Sequence, residues 1–281
     1  MKPRVLKGIP ETRTALAGAA GLGLVPTMGA LHDGHGRLIE VARRESAVVV
    51  TSIFVNPTQF NQASDYEQYP RDLAADVEFC AARGVDFVFA PEAAAMYPEP
   101  PLTTVEVAQI GDGLCGRYRP GHFRGVATVV TKLFQIIQPE RAYFGEKDAQ
   151  QLALIRRMTA DLNMPVEIVP VPTVRDADGL ALSSRNRRLN PRERAAAPAL
   201  YRALSTAAAR VAAGETDPDK VKAVALEILE HEPLVRVEYL ELVDPLRMQT
   251  VDRINGPVRA AAAIWLGETR LIDNVLCSPS N

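Results

Sequence analysis

Residues 47–55 form a run that is apolar almost throughout, and this run constrains the fold more than any other stretch of the chain. A strand in a parallel sheet is covered on both faces and gives such a run, whereas a half-solvated strand alternates. Before it, residues 36–46 place Leu38, Val41 and Ala42 on one helical face, and residues 22–25 are a shorter apolar run. The three segments predict a βαβ unit and therefore an α/β fold with a parallel sheet.

The same alternation of helix and strand continues to about residue 171. Proline-rich residues 91–114 interrupt it, and there we expect loops with a short strand at 103–107. These elements extend the first unit into a larger parallel sheet. The spacing of apolar residues predicts helices over 72–83 and 122–138, a helix carrying Leu152, Ile155 and Met158, and strands over 85–90, 142–145 and 166–171.

From residue 174 onward the pattern predicts a smaller α+β domain. Asn190-Pro191 and Asp217-Pro218 are helix starts, each an N-cap residue followed by proline, and Gly214 is a helix stop. Pro198 should kink the first of these helices. An alternating strand at 235–242 and a hairpin at 259–276 follow. We therefore expect one domain over residues 1–173 and a second over 174–281.

Composition excludes several classes of function. The formal net charge is -2 with Lys and Arg scattered along the chain, which argues against a nucleic-acid-binding surface. No apolar run approaches the ~20 residues of a membrane span. Three widely separated cysteines suit a reducing cytoplasm, and residues 1–20 lack the apolar centre of a secretion signal. We expect a cytoplasmic protein whose ligands are small molecules, without nucleic-acid or membrane partners.

Residues 27–35, Thr-Met-Gly-Ala-Leu-His-Asp-Gly-His, are the strongest candidate for a ligand site. A strand that ends in a glycine-containing turn before a helix directs backbone N–H groups and the positive end of the helix dipole at its ligand. This arrangement favours an anion such as a nucleotide phosphate, to which an imidazole of His32 or His35 could donate. The histidines could instead lie on a surface turn or form half of a zinc site, although no ligand at suitable spacing completes one.

Other groups could contact the same anion or a co-substrate. Lys147 stands in a second strand-to-helix turn, residues 183–185 offer two hydroxyls and a guanidinium, and the amides of Gln59 and Gln151 could hold a hydroxy acid. Each has a structural alternative, namely a solvated lysine, a helix cap and surface amides. The basic residues within 117–124 could likewise form a solvated loop.

Four blocks of sequence stand in a characteristic order and spacing: residues 27–35, Phe54-Val55-Asn56-Pro57-Thr58-Gln59-Phe60, Phe144-Gly145-Glu146-Lys147-Asp148 and Ser183-Ser184-Arg185-Asn186. Together they resemble the pantothenate synthetase family. Shorter matches at 69–71, 119–123 and 269–274 extend the resemblance over nearly the whole chain. One block alone would be a weak signal, whereas the complete set is specific.

The resemblance implies a Rossmann-like parallel sheet of the nucleotidylyl-transferase type, with helices on both faces, and a smaller C-terminal α+β lid domain. It further implies a cytoplasmic homodimer that joins (R)-pantoate to β-alanine through a pantoyl-adenylate. ATP would be the co-substrate, with Mg²⁺, and AMP and pyrophosphate would be released.

The resemblance also assigns site residues, each at its own position in this chain. His35 would be the catalytic proton donor supported by His32, and Lys147 would act with them on the phosphates. Gln59 and Gln151 would hold pantoate, and Gln59 would also face β-alanine. The implied ATP site comprises Met28, Gly29, Ala30, Leu31, His32, Asp33, Gly34, His35, Gly145, Glu146, Lys147, Asp148, Val174, Leu182, Ser183, Ser184 and Arg185.

Three positions, in two places, depart from the family pattern. Gly36-Arg37 stands where Leu-Ser is common, which predicts a weaker helix start and an added charge near the phosphates. Leu182 stands where Met is common, a mild apolar exchange. The magnesium ligands stay open, with Asp76 and the ATP phosphates as candidates.

Two other functions fit the same residues. A nucleotidylyltransferase that transfers AMP to a phosphate ester would release pyrophosphate without an amine. A nucleotide-binding module would keep the fold but catalyse no reaction, and Gly36-Arg37 is the only sequence feature that favours this second alternative.

Overall fold

The computed structural model describes residues 2–61 and 63–280. The chain divides into two compact units. The parallel-sheet unit comprises Met1–Val107, Arg119–Glu146 and Leu154–Pro172, and the antiparallel-sheet unit comprises Ala108–Tyr118, Lys147–Ala153 and Thr173–Asn281. The division into two domains between residues 173 and 174 stays a prediction made from the sequence.

Among the described residues, six strands form the sheet of the parallel-sheet unit, and every pair of neighbours is parallel. This confirms the predicted fold class. The strand order is β1-β4-β3-β2-β5-β6. The strands are β1 (Arg4–Leu6), β2 (Leu22–Thr27), β3 (Val48–Ile53), β4 (Phe87–Phe89), β5 (Arg141–Gly145) and β6 (Glu167–Val171).

Both faces of this sheet are covered, as the apolar run in β3 predicts. Val49 and Val50 are each 0% exposed although consecutive residues of a strand point to opposite faces. Val49 packs in a cluster with Ile39 and Val77 from two of the helices. The helices of this unit are α1 (Ile9–Leu16), α2 (Asp33–Glu45), α3 (Ala63–Glu67), α4 (Leu73–Ala81), α5 (Ala93–Met96) and α7 (His122–Ile137), while α8 (Ala149–Asp161) runs through both units.

The order of the strands places a switch point beside β2. The chain continues from β2 to β3 on one side, whereas β5 pairs with β2 on the other, with Leu24 opposite both Val50 and Ala142. In open parallel sheets, ligands bind in the crevice beyond the carboxyl ends of the strands at such a point. The residues that follow β2 and β5, 28–35 and 146, therefore lie at the position where a ligand is expected.

In the antiparallel-sheet unit, three strands pair in the order β7-β8-β9 among the described residues. Small side chains, including Ala203 and Ala207 on one helix and Ala260 and Ala262 on β8, are 0% exposed and lie in one core, so helix and sheet pack closely. The elements are β7 (Val235–Val243), β8 (Val258–Leu266), β9 (Thr269–Cys277), α6 (Cys115–Tyr118), α9 (Pro191–Ala196), α10 (Ala199–Ala212) and α11 (Pro218–Glu230).

Several predicted elements differ from the observed ones. The helix expected from 190 to 214 is two helices, because Pro198 has no N–H to continue the first. The strand predicted at 103–107 is wrong, since the backbone there is irregular. Residues 56–71, for which no regular element is predicted, contain a 3₁₀ helix, Pro57–Gln59, and α3, while Gln62 lies outside the described residues. The structure also contains β1 and α1, which the sequence pattern does not predict.

Within the described ranges, the longest apolar helices fall short of what a bilayer crossing requires.

Candidate active site

The loop after β2 is held by hydrogen bonds from two directions. At its start, the Thr27 hydroxyl donates to the Ser52 carbonyl at 2.7 Å and accepts the Gly29 N–H at 3.2 Å. The chain then turns through positive φ angles at Gly29 (83°) and Ala30 (51°). Glycine adopts this backbone conformation without the steric cost that a Cβ brings.

A carboxylate from α4 lies beneath this loop. Asp76 is 4% exposed, and its Oδ2 accepts the Ala30 N–H at 3.0 Å while its Oδ1 accepts the Leu31 N–H at 2.8 Å. A Cβ on Gly29 would lie 2.8 Å from Oδ2, which is a second reason for glycine there. These two N–H groups of the implied ATP loop are therefore engaged by protein. Asp76, considered from sequence as a magnesium ligand, shapes the loop through both of its oxygens.

The two histidines cap α2, and the helix consequently begins at Asp33, three residues before the predicted start. His32 is the N-cap, and its Nδ1 accepts the Gly34 N–H at 3.1 Å. Nδ1 of His35 accepts the His32 N–H at 3.3 Å, and the two ring centroids lie 4.1 Å apart. This is a capping box in which histidines occupy the positions usually taken by Ser or Thr and Glu or Gln.

The capping geometry also defines which imidazole nitrogen bears the proton. A neutral imidazole that accepts through Nδ1 carries its hydrogen on Nε2. His32 and His35 therefore each have an N–H donor on the nitrogen opposite the cap. His32 at the N-cap and His35 in the first turn place these donors at the start of a 13-residue helix, where the helix dipole favours an anion.

Gly36 is buried against a guanidinium. A Cβ at this position would lie 2.6 Å from Nε of Arg83, whose Nη2 donates to Asp33 at 3.0 Å. The same guanidinium lies over the Phe79 ring, with 3.6 Å between Cζ and the centroid. Glycine therefore makes room for Arg83. The capping box explains how α2 can begin although Gly36 stands where the family commonly has leucine. Arg37 pairs with the partly exposed Glu40 at 3.3 Å.

The Gln59 side chain is oriented by two neighbours. Gln59 is 7% exposed; its Oε1 accepts from Asn56 Nδ2 at 3.1 Å, and its Nε2 donates to Met28 Sδ at 2.9 Å. Asn56 is 1% exposed, and its Oδ1 accepts the Tyr97 hydroxyl at 3.1 Å. Burial raises the pKa of Tyr97, so this hydroxyl remains a donor at neutral pH. Gln59 thus lies beside Met28 of the loop after β2.

Helix α7 supports the backbone at Gln59. His122 Nδ1 donates to the Gln59 carbonyl at 2.8 Å, and Arg119 Nη1 lies 3.5 Å from His122 Nε2. Gly125 packs directly on the Thr58 carbonyl, where a Cβ would overlap. Arg119 and His122, which the sequence left open as a solvated loop, therefore contribute to the support of Gln59, and the buried His122 links them.

In the antiparallel-sheet unit, the Lys147 backbone and the serine segment (residues 174–185) have their own supports. The Lys147 carbonyl accepts from Asn274 Nδ2 at 2.9 Å. The Leu182 N–H donates to the Val174 carbonyl at 2.9 Å. Ser183 Oγ accepts the Arg185 N–H at 3.3 Å at the start of the 3₁₀ helix Ser184–Arg188, so Ser183 is also a cap. Lys147, Ser183 and Ser184 are partly buried.

Gln151 lies partly buried on α8, next to a glutamine with a different role. Gln150 is 6% exposed; its Nε2 donates to the carbonyls of Ile110 and Gly113, both at 2.8 Å, and its Oε1 accepts the Cys115 N–H at 3.0 Å. Sequence reasoning could not separate the two amides, because the partners of Gln150 lie 35 to 40 residues away.

Among residues 2–61 and 63–280, no three His, Cys, Asp or Glu side chains converge as metal ligands. A structural zinc site needs four ligands, and the His32–His35 pair supplies two at most.

Comparisons with known proteins agree on one family. The family described as pantoate-beta-alanine ligase matches residues 4–276. The chain is 53% identical over 274 residues to the pantothenate synthetase of Chloroflexus aurantiacus, covering 97% of this chain and 98% of that one. It is 49% identical over 264 residues to the pantothenate synthetase of Pelotomaculum thermopropionicum, covering 94% of each.

Two of the solved structures that match illustrate a similarity over almost the full lengths of both chains. The crystal structure of pantothenate synthetase from Thermus thermophilus superimposes with a TM-score of 0.93 at 47% identity, covering 97% of this chain and 98% of that one. The pantoate-beta-alanine ligase of Francisella tularensis, solved with beta-gamma ATP and beta-alanine, gives a TM-score of 0.81 at 35% identity, covering 98% and 97%.

Proposed function

This chain belongs to the pantoate-beta-alanine ligase family, and on that premise we propose how its residues condense pantoate with β-alanine using ATP. The reaction proceeds in two displacements. A carboxylate oxygen of pantoate attacks the α-phosphorus of ATP, and pyrophosphate leaves. The amine of β-alanine then attacks the acyl carbon of the pantoyl-adenylate, loses a proton and expels AMP, which gives pantothenate.

The observation that carries this proposal is the histidine capping box at the carboxyl end of β2. Because Nδ1 of each ring accepts a backbone N–H, the Nε2–H groups of His32 and His35 can donate to phosphate oxygens. They are held in place before ATP binds, so charge that develops on the phosphates meets preorganised donors. His35 is assigned the principal catalytic role and His32 the supporting one.

The other sequence-assigned residues divide between phosphate and acid. We assign Lys147, Ser183 and Ser184 to the phosphates, since an ammonium and two hydroxyls suit their oxygens. We assign Gln59 and Gln151 to pantoate. Thioether sulfur is a weak acceptor, so Gln59 Nε2 can exchange Met28 Sδ for a pantoate oxygen at small cost.

Mg²⁺ fits this site as a metal held chiefly by ATP. The ion prefers oxygen ligands and commonly binds through substrate phosphates with one or two carboxylates or water. Asp76 is a poor candidate ligand because both of its oxygens accept backbone N–H groups. When bound, the ion would neutralise charge on the phosphates, while this chain's residues orient them.

We further propose that the C-terminal domain, residues 174–281, acts as a lid that carries Ser183 and Ser184 to ATP. An acyl-adenylate hydrolyses readily, so the site must exclude water between the two steps. Small-angle scattering with and without ATP and pantoate tests this: compaction supports the lid, and an unchanged radius of gyration contradicts it.

The proposal also includes a cytoplasmic location and a homodimer, both of which the family resemblance supports. The three cysteines, which are buried and free, suit a reducing compartment. Sedimentation equilibrium tests the dimer, which predicts twice the 30.6 kDa chain mass.

Isotope transfer tests the reaction itself. With ¹⁸O in the pantoate carboxylate, adenylation followed by amine attack places one labelled oxygen in AMP. Unlabelled AMP would contradict the acyl-adenylate. Omitting β-alanine separates the alternatives, since a nucleotidylyltransferase that stops after AMP transfer turns over without the amine, and a binding module forms no pyrophosphate under either condition.

A further inference from the structure

We propose that Asp273 and Asn274, two consecutive residues of β9, are positioning residues that hold Lys147 and the serine segment in their ATP-binding arrangement. The inference rests on the phosphate roles proposed for Lys147 and Ser183. It adds a reason why the C-terminal strand matters to a reaction whose assigned residues lie elsewhere in the chain.

Asn274 holds the backbone of Lys147. Asn274 is 5% exposed, and its side-chain Nδ2 donates to the Lys147 carbonyl at 2.9 Å. The amide cannot rotate freely, because Oδ1 of Asn274 accepts from Arg259 Nη1 on the neighbouring strand β8. The donor is thus aimed at Lys147 by the sheet.

Asp273 holds the serine segment through Arg175. The two side chains form a bidentate ion pair, with Nη1 to Oδ2 at 2.5 Å and Nη2 to Oδ1 at 2.9 Å, and the Asp273 side chain is only 2% exposed. Arg175 pairs with Ala181 in an isolated β-bridge and also donates to the Gly179 carbonyl at 3.1 Å. The segment that leads to Ser183 is therefore tied to β9.

The alternation of the strand explains how one dipeptide reaches both segments. Consecutive side chains of a strand point to opposite faces of the sheet. Leu271 lies in the core with α10 and Val275 packs against that core, which places Asp273 on the helix-covered face and Asn274 on the other. Arg175 accordingly lies over Tyr201 of α10, 4.0 Å from Cζ to the ring centroid.

Such a support should act on ATP rather than on the amine substrate. Without the Asn274 donor, the Lys147 carbonyl loses a partner and the backbone that carries the ammonium can shift. A displacement of about 1 Å at a reacting group can cost on the order of 10²-fold in rate. We expect kcat/KM for ATP to fall at least about tenfold and KM for β-alanine to stay within about twofold.

The experiment uses the full-length protein with Asn274→Asp and a matched control, Val275→Ala. Asn274→Asp keeps the shape and the acceptor for Arg259 but removes the donor to Lys147. Val275→Ala removes apolar packing from the same strand and lowers stability without changing a contact to Lys147. We expect the ATP-specific loss only in Asn274→Asp. Wild-type kcat/KM for ATP in Asn274→Asp would overturn the proposal. An equal loss of kcat/KM for ATP in Val275→Ala, if the two variants have similar Tm, would overturn it as well.

A double-variant comparison tests whether Asn274 acts through Lys147. Calorimetry would give ATP affinity for Lys147→Ala, Asn274→Ala and the two changes combined. We expect the combined variant to bind ATP as weakly as Lys147→Ala alone, because the support has nothing left to position. Additive losses would overturn this route. Wild-type affinity in Lys147→Ala would instead contradict the phosphate role of the lysine, and the inference with it.

Asp273→Asn tests the other half and keeps the side-chain volume. One oxygen still accepts from Arg175 while the second becomes a donor group facing the guanidinium. We expect the ATP affinity to fall by about tenfold or more, and a Ser183→Ala change to add little in this background. Full additivity of the two changes would show that Asp273 does not act through the serine segment.

Discussion

The carboxylate of Asp76 accepts the backbone N–H of Leu31 at 2.8 Å, 45 residues away in the chain, beneath the loop that leads into the histidine capping box. Its other oxygen accepts the Ala30 N–H. We predict that Asp76→Ala lowers the free energy of unfolding by about 3 kcal/mol or more, because two buried N–H groups lose a charged partner. Urea denaturation measures this loss. Glu78→Gln on the same helix, where Glu78 pairs with Lys2 at the surface, should change stability by less than about 0.5 kcal/mol; a comparable loss there would contradict the assignment.

His35 combines a capping role with a proposed catalytic one, and Gln can separate the two. Gln at this position can accept the His32 N–H as in an ordinary capping box. We predict that His35→Gln keeps Tm within a few degrees, whereas ATP–pyrophosphate exchange with pantoate falls on the order of 10²-fold or more. Retained exchange activity in His35→Gln would remove His35 from the chemistry.

Gly36→Ala should destabilise the protein, although alanine normally favours a helix by about 1 kcal/mol over glycine. The added Cβ would lie 2.6 Å from Arg83 Nε and displace the guanidinium from Asp33. In an Arg83→Ala background the same change should become stabilising, as the space is then empty. Thermal unfolding of the four proteins gives the sign in each background, and an unchanged sign would show that Arg83 is not the obstacle.

Gly125→Ala should impair pantoate binding more than ATP binding. The new methyl group would overlap the Thr58 carbonyl and displace the neighbouring Gln59. We predict a rise in KM for pantoate of about tenfold or more, as a shift of about 1 Å suffices for such losses. Gly113→Ala is the control, because a Cβ there has no neighbour within 4 Å; equal effects of the two changes would refute the packing argument.

Stability should fall in alkaline solution partly through Cys80. Burial raises the pKa of this thiol from 9.0 to about 11, so the folded protein retains a proton that the unfolded chain loses. The stabilising contribution is complete below pH 9 and is lost as the pH rises through 11, a difference of about 2 kcal/mol by pH 11. The pH dependence of unfolding should therefore be shallower in Cys80→Ala between pH 9 and 11, and identical slopes would contradict it.

The sequence by itself determined the elements whose signals are local. A strand covered on both faces must be apolar throughout, which identified β3. The Asp217-Pro218 signal predicted where α11 begins, because capping depends on neighbours in sequence. The order and spacing of the sequence motifs were also enough to identify the family, because the complete set of motifs occurs in one chain.

Only the tertiary structure decided how the site residues are held. Asp76 under Leu31, Arg83 against Gly36 and Asn274 on Lys147 join residues 45 to 127 positions apart, and neither periodicity nor capping signals reports such contacts. The start of α2 differs from the predicted start for another reason, which is local. Histidines are uncommon in a capping box, so the sequence pattern does not identify His32 and His35 as the caps of this helix. Local backbone preferences depend on residues that are neighbours in the sequence, so the sequence reports them directly. Buried long-range contacts depend on how elements distant in the sequence pack together, and only the tertiary structure shows this.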